Sequence, residues 1–200
     1  MIFNEPASIF ITVASAYLLG SIPTALIVST RIKHVDIRNL GDGNMGAHNT
    51  FHEIGPKFGL LVAVADFCKG ALSVFLAYVL GLSVGWQMLA GISAILGHDF
   101  PVFAGFKGGQ GTATSLGTML VLCPVPTLIG LASYGIVFLL IKNSNVSLGF
   151  GGGIIAFILA FSRQWLLLGY VIPAFIFIPV KLLIDTPRRK AIETIRSGRS

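Results

Sequence analysis

Long apolar runs, one after another with little sequence between them, constrain this chain more than any other feature. Crossing the hydrocarbon of a bilayer takes roughly 17 to 25 such residues in a helix. Of the 200 residues 54% are hydrophobic and only 11% charged, where an ordinary soluble domain carries roughly a quarter charged. A soluble core cannot hide that much apolar surface, and little sequence remains for a separate soluble domain. The expected fold is therefore all-α: a polytopic membrane helix bundle forming one integral membrane domain over residues 1–200.

Hydropathy and breakers place about seven transmembrane segments, several of them short, near 6–28, 57–80, 86–97, 112–121, 127–141, 148–161 and 166–184. The first has no basic residue ahead of it and continues through Pro23 and Ala25, so it reads as a retained helix and not a cleaved secretory signal. Pro124 and Pro126 break the pattern between the fourth and fifth segments. Gly81 with Gly85, and Gly149 with Gly153, have the small-residue spacing that lets membrane helices approach closely. Cys68 and Cys123 have no paired spacing and read as buried small hydrophobes, not as a disulfide or metal site.

Basic residues set the orientation. With the N-terminus external and seven crossings, Arg31, Lys33, Arg38 and Lys57 fall in or beside the first cytosolic loop, Lys107 in the second and Lys142 in the third. Arg188, Arg189, Lys190, Arg196 and Arg199 then lie in a cytosolic C-terminal tail, and Arg163 is left outside. That asymmetry follows the positive-inside rule and favours an odd number of crossings. The formal charge of +6 is spread between apolar spans, which speaks for topology and anion or lipid contacts and against nucleic acid.

Two polar stretches carry the chemistry. In "DIRNLGDGNMGAHN", glycines 41, 43 and 46 surround Asn44, with Arg38 upstream and Asn49 downstream. Glycine-bearing turns can aim several amides inward as an anion nest, and Arg38 could add charge-assisted hydrogen bonds. Asn44 equally suits plain turn formation. In "FKGGQG", Lys107 precedes Gly108, Gly109 and Gly111. The order is not that of a nucleotide-binding P-loop, but a lysine beside flexible amides at a helix start suits a phosphoryl or headgroup anion. His98 could orient substrate, exchange a proton or make a local contact. His48 and His52 share a face only if their segment is helical, and two histidines do not make a metal site, so neither a metal nor a cofactor is expected. Asp66 and Lys69, three apart inside an apolar span, should pair with each other or serve a polar pathway. Ser21, near the loop end of the first span, could join a site or cap a helix.

The stretches "GSIPTALIV", "DIRNLGDGNMGAHNTFHEIG", "DFCKGAL" and "GHDFPVFAGFKGGQGTAT" resemble, in order and separation, the bacterial membrane family of acyl-phosphate:glycerol-3-phosphate acyltransferases. The resemblance implies a multi-pass enzyme of the bacterial cell membrane. It would transfer a fatty acyl group from acyl phosphate to the 1-hydroxyl of glycerol 3-phosphate, forming lysophosphatidic acid for phospholipid synthesis with no obligate protein partner. Ser21, Arg38, Asn44 and Asn49 then occupy family positions around substrate or the first loop. His98, Lys107, Gly108, Gly109 and Gly111 correspond to the second loop, and Asp66 and Lys69 to its intramembrane acid and base. The chain departs from the family pattern at Asp42, His48 and Gln110, and its C-terminal "DTPRRKAIETIRSG" lacks the family's histidine and asparagine. Arg188, Arg189 and Arg196 could offer anion contacts there. Those departures leave a transporter, or a noncatalytic lipid or anion binder on the same scaffold, as the alternative.

Overall fold

A computed structural model describes residues 5–197, and over them the chain is all-α. Nine helices run α1 (Glu5–Gly20), α2 (Thr24–Lys33), α3 (Ala47–Glu53), α4 (Pro56–Val79), α5 (Val84–Asp99), α6 (Thr112–Leu122), α7 (Pro124–Ile141), α8 (Ser144–Phe161) and α9 (Trp165–Ser197) among the described residues. Five spans are long and apolar enough to cross a membrane: α1 with α2, α4, α7, α8 and α9. The fold is thus a polytopic helix bundle with five clear spans, where the sequence suggests seven. The other two segments, α5 at 16 residues and α6 at 11, are helical but shorter.

The first span is not one continuous helix. Pro23 has no N–H to donate, and its ring excludes the helical turn before it. The chain accordingly leaves helix at residues 21–23 and restarts at Thr24. The break frees the carbonyl of Ile22, which would be costly in hydrocarbon, and Lys69 Nζ of α4 donates to it at 3.1 Å. The proline pair acts as the sequence suggests: the chain turns at Cys123, and Pro124 opens α7, where its missing donor costs nothing. At the other end α9 does not stop near Ile184. It continues through Arg188, Arg189 and Lys190, and Ile192 packs against Gly43 of the first loop. The C-terminal basic cluster is therefore helical as far as residue 197, not a loose tail. The Arg196 side chain and Arg199 lie outside the described residues.

Close packing is built on reciprocal glycines, and not on the four suggested by spacing. Gly81, Gly85, Gly149 and Gly153 each face open space. Instead, a Cβ on Gly20 would collide with the Ala94 backbone, and one on Gly97 with the Tyr17 backbone, so α1 and α5 lie almost in backbone contact. Gly70 against Thr114 and Gly117 against Phe67 do the same for α4 and α6, and Gly130 with Gly151 for α7 and α8. These are the three most extensive helix pairings. Without a hydrophobic driving force between helices in lipid, such close van der Waals contact is a main source of cohesion. Cys123 is buried, but Cys68 is exposed on the outer face of α4, contrary to its reading as a buried hydrophobe.

Candidate active site

The first loop, residues 34–46, is stitched by its own polar side chains. The Asn49 amide, buried at the start of α3, donates to the carbonyls of Leu40 and Asn44 at 3.0 Å each and of Ile37 at 3.3 Å. Its Oδ1 accepts from the Asp42 N–H at 3.3 Å. Both polar atoms of the Asn49 side chain are thus occupied in holding the loop closed. Asn44 is different. Its N–H donates to Asp42 Oδ1 at 3.0 Å, but its side-chain Oδ1 is buried with no hydrogen-bond partner.

Arg38 bridges the two loops. Its Nε and Nη2 donate to the carboxylate of Asp36, the latter at 2.6 Å, while Nη1 donates to the carbonyl of Ala104 at 2.9 Å. A planar fork with fixed donors suits this three-way contact. The hydrogen bonds and charge of Arg38 hold the Asp36 carboxyl below the usual carboxylate range, with Lys107 adding a smaller pull, while partial burial opposes them.

The second loop wraps the end of α5. The Gly109 N–H donates to the His98 carbonyl at 3.1 Å. A Cβ on Gly108 would strike that same carbonyl, and one on Gly109 would strike the His98 ring at Nε2. Gly111 has φ +67° at the start of α6 and lies against the Asp99 carboxylate, a Cβ there falling 2.9 Å from Oδ1. Lys107 is exposed beside this turn.

Beneath the loops sits a polar knot at the break in the first span. Asp66 accepts from Thr24 Oγ1 at 2.5 Å and pairs with Lys69 at 2.9 Å. His98 Nδ1 lies 3.6 Å from the same carboxylate oxygen. Ser21 is fully buried, and its hydroxyl has no hydrogen-bond partner. Gly97 packs on the Ser21 backbone, which sets Ser21 one residue from His98. The two intramembrane charges singled out in the sequence thus face each other, and His98 stands between them and the second loop. His48 and His52 lie together on α3, ring centres 4.6 Å apart, and both are exposed. Among the described residues no cluster of three or more potential metal ligands occurs.

From α9, Arg188 and Arg189, expected as anion contacts, pair instead with aspartates, and Lys181 adds a buried charge that the sequence reading did not single out. Lys181, in the middle of an apolar helix, is 1% exposed and pairs with Asp185 at 2.5 Å. Arg188 Nη2 lies 3.5 Å from that aspartate, and Arg189 pairs with Asp42 at 3.3 Å. Their spacing of four and three residues was the available signal, since it puts Lys181, Asp185 and Arg188 on one helix face.

Known proteins share this fold. The family model for glycerol-3-phosphate acyltransferase matches residues 10–198. A relative from Dehalococcoides mccartyi strain ATCC BAA-2266, named glycerol-3-phosphate acyltransferase 4, is 43% identical over 132 residues, which are 66% of this chain and 71% of that protein. One from Geobacter metallireducens, named glycerol-3-phosphate acyltransferase, is 48% identical over 116 residues, 58% of this chain and 59% of its own length. Crystal structures of PlsY (YgiH), an integral membrane glycerol 3-phosphate acyltransferase, match across 96% of this chain and 94% of theirs. The glycerol 3-phosphate form gives a TM-score of 0.77 at 31% identity, and the lysophosphatidic acid form 0.78 at 30%. With the family model matched over residues 10–198 and the fold shared across 96% of its length, this chain belongs to the glycerol-3-phosphate acyltransferase family.

Proposed function

We propose that the protein transfers a fatty acyl group from acyl phosphate to the 1-hydroxyl of glycerol 3-phosphate, yielding lysophosphatidic acid and inorganic phosphate. The observation that carries this reading is the hydrogen bond from Arg38 to the Ala104 carbonyl, 2.9 Å long. It ties the two loops into one surface, where two phosphate-bearing substrates can meet.

Acyl phosphate already contains a good leaving group, so alignment of donor and alcohol does much of the catalytic work. The C1 hydroxyl oxygen bonds to the acyl carbonyl carbon, the bond from that carbon to the phosphate oxygen breaks, and phosphate departs with its electron pair. The hydroxyl proton passes to the acceptor's own phosphate. Lys107 and the backbone of Gly108, Gly109 and Gly111 steady the donor phosphate. Arg38 and Asn44 hold the acceptor, Asn44 through the buried Oδ1 that has no protein partner. Asn49 acts through the loop it closes. Ser21 and His98 line the floor of the site, with Asp66 and Lys69 balancing charge beneath it. The acyl chain remains in the membrane.

Residues 1–200 act as one integral membrane domain in a bacterial cell membrane, and we infer seven crossings with the N-terminus external and the C-terminus cytosolic. Five long spans with α5 and α6 as short ones support that parity, as does the basic bias of the loops. The test is direct. Purified protein given palmitoyl phosphate and glycerol 3-phosphate should form lysophosphatidic acid and should not do so from acyl-coenzyme A. No product above a lipid-only control, from a folded preparation, would reject the reading. Lys107→Ala should raise the KM for acyl phosphate about ten-fold, the loss expected for a charge-assisted hydrogen bond.

A further inference from the structure

The far end of α9 grips the first loop at two adjoining points. Arg189 Nη2 lies 3.3 Å from Asp42 Oδ2. A Cβ on Gly43 would strike Ile192 Cδ1, so the isoleucine fills the space that this glycine leaves. Arg189 and Ile192 are three residues apart in one helix and therefore share a face. Asp42 has a second task for its other oxygen. Oδ1 accepts the backbone N–H of Asn44 at 3.0 Å, while the Gly43 N–H between them donates to the Leu40 carbonyl at 2.9 Å. One carboxylate thus joins the last helix to the residue whose buried side-chain oxygen has no hydrogen-bond partner.

We propose that Arg189 is a positioning residue for Asn44, acting through Asp42, with Ile192 as the apolar half of the same clamp. The ion pair fixes the Asp42 carboxylate, and the carboxylate fixes the backbone of Asn44. The Asn44 side chain is thereby held toward the acceptor. Arginine suits the role, since its guanidinium stays charged and presents several donors to a carboxylate. Both partners stand where the chain departs from its family's pattern: Asp42 in the first loop, and Arg189 in a C-terminal stretch without the family's histidine and asparagine. The two departures meet in one contact. The kinetic part of the proposal rests on the acyl-transfer reading; the structural part does not.

Two readouts separate them. Asp42→Asn divides the tasks of the aspartate, because asparagine keeps an acceptor for the Asn44 N–H and loses the charge that Arg189 meets. In hydrogen–deuterium exchange of the purified protein, Arg189→Gln and Asp42→Asn should each speed exchange of the Gly43 and Asn44 amides about five-fold, the size expected of a partly exposed ion pair. The amides of α8 should be unaffected, whatever the protein's activity. In acyl transfer, each variant should raise the KM for glycerol 3-phosphate about five-fold and leave that for acyl phosphate within about two-fold. Arg189→Lys, which keeps the charge, should recover most of both differences. The double variant should be no worse than either single one, as expected of residues acting in one network. Should Arg189→Gln not fold, Asp42→Asn carries the same test from the loop side. Unchanged exchange in the folded variants would overturn the proposal, as would an unchanged KM for glycerol 3-phosphate in an active variant, no recovery in Arg189→Lys, or a double variant whose effects multiply. A wild-type protein without acyltransferase activity would defeat the acyl-transfer reading alone, because the exchange assay would still report on the clamp.

Discussion

Single side chains divide the first loop between architecture and chemistry. Asn49 spends its amide on three carbonyls, whereas Asn44 keeps a buried acceptor unpartnered. Asn49→Ala should therefore lower stability by roughly 2–3 kcal/mol, because it leaves buried carbonyls unsatisfied, and thermal unfolding in detergent would show it. Asn44→Ala should leave the unfolding temperature nearly unchanged and reduce acyl transfer. The sequence placed both asparagines in the loop but could not separate their tasks, since composition does not say which of two amides points inward. Arg38 gives a further test. Its pairing with Asp36 holds that carboxyl below its usual value of 3.8, so the pair's contribution is complete above about pH 4. It is lost as pH falls through the lowered folded value, because the folded loop then binds a proton less readily than the unfolded chain. Asp36→Asn should remove this acid-side loss and cost about 1 kcal/mol at neutral pH, as expected of a partly exposed pair. Acid titration of thermal stability in the two proteins would measure the difference.

Among helices, glycine placement decides which faces touch. Gly70 and Gly117 hold α4 against α6, the helix that begins at the second loop. Gly117→Leu would force the pair apart and should lower thermal stability by about 2 kcal/mol or more, in the range of overpacked cores, with acyl transfer falling alongside. Gly149→Ala and Gly153→Ala should be silent, because nothing packs on either position. Helix positions were legible in the sequence because a long apolar run between polar breakers admits few other structures in lipid. The contacts were not. Small-residue spacing marks where helices can approach, but the partner face depends on the orientation of the whole bundle, and so the glycine pairs that matter lay elsewhere. The break at Pro23 was also hidden within an unbroken apolar run. Its signal was the proline itself, and the Ile22 carbonyl that the break frees is taken up by Lys69.

Across the molecule, several charged or titratable side chains are buried near the two loops. Asp66, Lys69, His98, Asp99 and Lys181 are buried, and the loops above them are joined by Arg38. The two glycine loops were visible in the sequence as separate motifs, and their resemblance to a known family suggested a shared purpose. Their meeting in space was not legible, since 66 residues separate Arg38 from Ala104. Nor was the long final helix, whose Arg189 and Ile192 reach back to Asp42 and Gly43. Acyl transfer at a shared site requires those distant stretches to face a single aqueous compartment. Cysteines placed singly at the exposed positions His48 and Lys107, in a chain whose Cys68 and Cys123 are replaced by alanine, can be labelled in sealed vesicles of known orientation with a membrane-impermeant maleimide. Both should react from the cytosolic side alone; reaction of the two from opposite sides would contradict the shared site and the acyl transfer built on it.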